Sequence, residues 1–133
     1  MIPKFRAWDK ESKSMHQILE IIYSNDLSYI SFITIGGGNL IYGPKRRLGD
    51  DVIIMQSTGL KDKNGVEIFE GDIVRWHDVV TWDYSVTFKD GVFCISDDPS
   101  SNFYHLKEDI NGKFEVIGNI YENPELLEQA NEK

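Results

Sequence analysis

Few side chains in this sequence have the chemistry to start a reaction. Cys94, the single cysteine, could serve as a nucleophile only with a base such as His77 or His105 beside it and its thiol partly exposed. It lies instead mid-strand among Val92, Phe93 and Ile95, where a cysteine behaves as a small buried hydrophobe. Metal ligation could draw on His77, Asp78, Asp83, His105 or the Asp97-Asp98 pair, yet none has a ligand spacing tied to one helix or turn. Asp97-Asp98-Pro99-Ser100-Ser101-Asn102 reads as a turn-rich loop, because Asp and Pro preset turn geometry without a metal. The run Gly36-Gly37-Gly38-Asn39 lacks the Gly-Lys-Ser/Thr ending of a phosphate cradle and reads as a turn. No catalytic, cofactor or metal site is assigned, and the chain reads as a non-enzyme.

Binding offers more. Thr58, Asp62, Asn64, Glu70 and Asp72 crowd one glycine-punctuated stretch. They can accept hydrogen bonds from turn amides, or gather at one end of a β scaffold as a recognition surface, and both readings stay open. Trp76, Trp82 and Tyr84 could stack nucleobases if a basic strip ran beside them, but their neighbours are His77, Asp78 and Asp83. Core packing or a protein contact suits them better. Lys45-Arg46-Arg47 is the one local basic cluster and the candidate for nucleic acid, set against a plain solvated loop.

Charge weighs on the same choice. The net charge of −8 disfavours nonspecific binding to phosphate, and it is uneven, since residues 1–50 carry seven Lys/Arg against five Asp/Glu and residues 51–133 carry seven against seventeen. One cysteine permits no intrachain disulfide, which points to a reducing compartment. The start of the chain lacks the apolar run of a signal peptide, and no segment reaches the roughly 18 to 20 apolar residues of a membrane span, so the expected location is the cytoplasm, without a membrane partner. At 133 residues the expectation is one domain, with the Pro/Gly/charge-rich connection 43–51 read either as a boundary between sub-layers or as one long surface loop.

The elements that must position these residues are mostly strands. Lys4-Phe5-Arg6-Ala7-Trp8 alternates charged and apolar residues; Met15 to Ile22 is ambiguous, since Ile18, Leu19 and Ile22 fit a helical face while β-branched enrichment around Ile21, Ile22 and Tyr23 favours strand. Tyr29 to Ile35 reads as a strand that the glycine run turns back into Leu40-Ile41-Tyr42, a hairpin. Val52 to Met55, Val66 to Phe69 and Ile73 to Trp76 read as short strands, with Asn64-Gly65 suited to a type I′ turn. Tyr84-Val86-Phe88 and Val92 to Ile95 flank Asp90-Gly91 as the clearest hairpin. Asn111-Gly112 predicts another between residues 103–106 and the alternating Phe114, Val116, Gly118 and Ile120. Asn123 as cap, Pro124 in the first position and Glu125 and Glu128 early predict a short C-terminal helix to about Ala130. The fold expected is mainly β: antiparallel hairpins forming a compact sheet or small SH3-like barrel, plus that helix.

Three blocks carry a family likeness: Lys4-Phe5-Arg6-Ala7-Trp8-Asp9, the stretch 55–74 around Thr58-Gly59-Leu60-Lys61-Asp62-Lys63-Asn64-Gly65 and Glu70-Gly71-Asp72-Ile73-Val74, and 116–127 around Gly118-Asn119-Ile120-Tyr121-Glu122-Asn123-Pro124. In order and spacing the chain resembles the YopX family. Residues 17–51 and 77–112 fall between the blocks, and Ser57 stands where the family pattern leads us to expect an aromatic. The resemblance implies an origin in a phage or prophage and a mainly β domain, and it brings no catalytic residues to transfer. The function expected is a noncatalytic protein-binding or adaptor module whose partner is a host or phage protein. The alternative is a nucleic-acid-binding regulator of phage or host genes. Pairing with a second copy through edge strands is a further expectation, because exposed edges must be covered, charged or paired.

Overall fold

The computed structural model describes residues 4–27, 30–36, 45–97, 103–106 and 112–130. The order is β1 (Phe5–Asp9), β2 (Ser14–Tyr23), β3 (Ile30–Gly36), β4 (Lys45–Arg46), β5 (Val52–Lys61), β6 (Glu67–Phe69), β7 (Asp72–His77), β8 (Thr81–Lys89), β9 (Val92–Ser96), β10 (Tyr104–His105), β11 (Phe114–Asn119) and α1 (Glu125–Ala130). The expected mainly β architecture with a short terminal helix is thus what the chain adopts. It divides into two compact units, Met1–Gln56 and Ser57–Lys133, and the division falls inside β5.

In the first unit β1 is central, antiparallel to both β2 and the first half of β5, while β3 pairs with β2 and β4 with β3. Alternation puts Ala7, Ile33, Ile35 and Val52 on one face, fully buried, with Ile18, Ile21, Ile30 and Ile54 packed around them. The ambiguous 15–22 segment is strand, as its β-branched residues favour. Lys45 and Arg46, read from sequence as connection, form the edge strand β4.

In the second unit β6 pairs with the end of β5, and the other strands form an open antiparallel sheet in the order β10-β9-β8-β7-β11. Its core is Ile68, Val74, Val86, Ile95, Leu106 and Phe114, with Trp76, Tyr84, Phe93 and Val116 packed against it. Helix α1 contacts β8. Asp90 and Gly91 both take positive φ, 52° and 84°, as a type I′ hairpin turn requires, and the β8–β9 hairpin forms as expected.

Several local expectations change. Neither sheet closes, so the compact-sheet alternative holds and the barrel does not: β10 and β11 are opposite edges of the five-stranded sheet. For the same reason residues 103–106 and 114–120 are not a hairpin, since β10 pairs with β9 and β11 with β7. β5 runs beyond Met55 to Lys61 across a register shift, because the Ser57 and Thr58 hydroxyls accept the N–H groups of Gly59 and Leu60 that the ladder misses. The turn at Asn64-Gly65 is not type I′. Only Gly65 is left-handed (φ 82°), and its N–H bonds the Asp62 carbonyl at 3.0 Å. Asn123 does not point its side chain into the helix: its Oδ1 accepts the Asn119 N–H, and its backbone carbonyl receives the Leu126 N–H. The turn at 37–39, the strand 40–42, the loop 98–102 and Asn111 lie outside the described residues. No helix among the described residues is long and apolar enough to cross a membrane.

Candidate binding site

The polar residues of the central block serve the backbone first. Asp62 is buried, 5% exposed; its Oδ1 accepts the N–H groups of Asn64 (2.8 Å) and Val66 (2.9 Å), and its Oδ2 accepts that of Val116 on β11 (2.8 Å). The Lys63 N–H adds a bond to the Phe114 carbonyl. A side chain and one amide therefore do for this stretch of the β11 edge what a neighbouring strand would do, which is why the sheet ends there. Asp72, also buried, accepts the Phe69 N–H at 2.8 Å and fixes the turn between β6 and β7. Glu70 is partly buried in that turn. The Thr58 hydroxyl donates to the Ile68 carbonyl at 2.7 Å, and Ser57 hydrogen-bonds Glu67 across the same strand pair. The Asn64 amide reaches Glu115 at 3.5 Å.

The basic cluster is spent in part as well. Arg46 donates from Nε to Oδ1 of the fully buried Asp9 at 2.9 Å and lies 3.2 Å from Glu11. Burial raises the Asp9 pKa, but the Arg46 and Ser12 hydrogen bonds and the Arg46 charge outweigh it and leave it below the usual carboxylate value. The Arg47 amide is tied to the Asp51 carboxylate, and Lys45 and Arg47 are exposed. Cys94 is buried at 3% exposure, its thiol 3.7 Å from the Val92 carbonyl; His105 lies opposite it in the ladder and is exposed. His77 pairs with Glu115 at 2.8 Å, and Arg75 grips Asp83 through two bonds of 2.8 and 3.1 Å. Asp78 is exposed beside them.

Two surfaces of the second unit remain. One is a groove of about 430 Å³ lined by Thr58, Leu60, Val92, Phe93, His105 and Leu106. The other is aromatic. Trp76 and Trp82 are directly opposite on β7 and β8, and Tyr84 follows two residues on, so all three share one face. Trp76 meets Phe114 edge to face at 5.1 Å, and Tyr84 meets both Phe114 and the half-exposed Tyr104 at 6.3 Å. The Trp82 indole N–H donates to Asp97 at 3.2 Å. Burial, then the charge of Asp97, then Tyr104 push the Tyr84 hydroxyl pKa upward. The tip of this hairpin carries Val79 and Val80, 99% and 70% exposed.

Of the residues singled out from sequence, Trp76 and Trp82 are brought together on this face. Thr58 lines the groove, while Asp62 and Asp72 are held inside turns. Sequence reading missed Tyr104 and the valine tip, and weighed Asp97 as a metal ligand or turn residue rather than as part of this face. A signal for the tip was present: Trp76 and Trp82 are equidistant from Val79, so a hairpin centred there must set them opposite.

A family model described as YopX protein matches residues 4–128. The chain belongs to the YopX family. Among solved structures, this YopX-family chain is similar to protein EF1440 from Enterococcus faecalis, with 33% identity and a TM-score of 0.68 over 96% of this chain and 99% of that one. It is also similar to YopX from Bacillus subtilis, with 21% identity and a TM-score of 0.61 over 92% and 96% of the two chains; that likeness speaks to fold alone. No curated protein matches the chain.

Proposed function

We propose that this YopX-family chain is a noncatalytic protein-binding or adaptor module of phage or prophage origin, acting in the host cytoplasm. The observation that carries the reading is the aromatic face of the β7–β8 hairpin. Trp and Tyr supply large contact area at low entropic cost and dominate protein interfaces, and here they remain partly exposed rather than wholly consumed by the core. The buried thiol of Cys94 and the turn-bound carboxylates of Asp62 and Asp72 are consistent with it, since each of those groups already has a structural task. The basic cluster gives nucleic acid less to hold, because Arg46 is committed to Asp9.

The test is capture by the tagged chain from lysate of a bacterial host, with and without nuclease and at two salt concentrations. A discrete protein partner that survives nuclease is the expected result. Loss of all capture on nuclease treatment would overturn the reading in favour of nucleic acid, whereas loss on salt alone, with capture intact after nuclease, marks a charged protein contact.

A further inference from the structure

We propose that the tip and aromatic face of the β7–β8 hairpin form a docking surface for a basic segment of a partner protein, one that presents arginine or lysine between apolar side chains. The inference rests on the adaptor reading and adds to it the face and the chemistry of what binds there.

Single exposed apolar residues are ordinary on a protein surface. This hairpin is different because two exposed valines at its tip lie within four residues of the paired tryptophans. Beyond the His77–Thr81 pair the chain turns through Asp78, Val79 and Val80, and the two valines stand 99% and 70% exposed. One pair inward, Trp76 and Trp82 face each other, and Tyr84 and the 51% exposed Tyr104 continue the same face across β8 to β10. Apolar groups gathered this closely at one end of a sheet mark contact sites.

Charge selects the occupant. Asp97 accepts the Trp82 indole N–H at 3.2 Å, which fixes the ring and sets a carboxylate beside the aromatic faces, while Asp78 flanks the tip. A carboxylate next to π faces attracts a guanidinium or ammonium group, whose apolar stem can lie along the rings. The wider field agrees: residues 57–133 carry seven Lys/Arg against sixteen Asp/Glu, a balance of −9. Such a field speeds encounter with a basic partner and repels phosphate, whether in nucleic acid or at an anionic membrane. The valines then take the apolar side chains between the cations.

The experiment titrates a short synthetic peptide of alternating Arg and Leu into the isotope-labelled full chain and follows its amide and indole resonances. Control peptides carry Glu in place of Arg or Ser in place of Leu, and further arms add a single-stranded oligonucleotide or raise the protein concentration alone. We expect the Trp76 and Trp82 indole signals and the amides of 78–81 to shift saturably with the Arg/Leu peptide only. The neutral double variant Val79→Ser/Val80→Ser, at solvent-exposed sites that leave the core intact, should weaken binding about tenfold, as loss of an interface anchor does. Asp97→Asn should flatten its salt dependence. The proposal is overturned if the Ser/Ser variant binds as well as the natural chain, if the Glu peptide or the oligonucleotide shifts the same signals, or if concentration alone does so, which would assign the face to a second copy. Lysate capture separates the two readings: a partner that the Ser/Ser variant captures undiminished sinks this docking face and leaves the adaptor role standing, whereas no nuclease-resistant partner for the natural chain sinks the role itself.

Discussion

The two units handle buried charge in different ways. In the first, residues 1–56, Lys/Arg and Asp/Glu nearly balance at seven against six, and the fully buried carboxylate of Asp9 is answered by a cation, Arg46, with the Ser12 N–H on its other oxygen. In the second, residues 57–133, acids outnumber bases sixteen to seven, and two buried carboxylates, Asp62 and Asp72, accept backbone N–H groups. Asp83 there repeats the first pattern, with Arg75. A carboxylate satisfied by the backbone needs no partner cation. The second unit can therefore keep its acidic surplus and still bury acids, and that surplus is what gives its aromatic face a sign. The lesson is that net charge and buried charge are separate variables.

The sharpest way to break this contrast is Asp62→Ala. It removes the acceptor of three N–H groups in one step, and with roughly 1.5 kcal/mol for each charge-assisted bond the loss should be about 4 to 5 kcal/mol. Hydrogen exchange at the Val116 amide should accelerate before that of β8 amides, because β11 loses its edge cover first. Exchange at Val116 unchanged by the substitution would mean that the carboxylate does not hold the edge.

Arg46→Ala tests the other pattern and should cost about 3 kcal/mol, since breaking a buried pair leaves a buried charge without its cation. pH supplies a sign check. The folded pKa of Asp9 lies below its unfolded value of about 3.9, so its contribution is fully present above that value and disappears as pH falls through it to the folded pKa. Urea unfolding curves followed from neutral pH to acid should show this loss in the natural chain. In Arg46→Ala, with the main lowering influence gone, the acid-dependent part should shrink. An identical pH profile in both chains would refute the assignment to this pair.

Much of the architecture was legible in the sequence, and what was missed has a common cause. Period-two alternation predicts β1 and the β8–β9 hairpin, and Asp90-Gly91 marks its own turn, because these signals are local. Which strand neighbours which is not local. Asn111-Gly112 looks like a hairpin turn from sequence, yet β10 and β11 are opposite edges, a pairing set by contacts with β9 and β7 that no short window contains. Asp62 reads as a turn acid, but that its second oxygen reaches Val116, fifty-four residues on, follows only from the fold. The binding face follows the same rule: Trp76 and Trp82 stand out as residue types, whereas Tyr104 and Asp97 join them only through the sheet.

The smallest effect is the one that should not distinguish the units. Gly49 in the first and Gly91 in the second both sit at positive φ, 83° and 84°, and an added Cβ would meet nothing within 4 Å at either. Alanine there introduces left-handed backbone strain with no steric clash, so Gly49→Ala and Gly91→Ala should each cost about 1 kcal/mol. Equal losses, measured as shifts in urea midpoint or in local exchange, would give one backbone yardstick valid in both units, against which the larger carboxylate effects can be compared. If Gly91→Ala costs clearly more, the adjacent left-handed Asp90 is the physical reason to test: the type I′ turn needs both residues, and strain at one is then shared by the other. Asp90→Gly in the Gly91→Ala background should recover part of that excess and leave the Gly49→Ala value where it was.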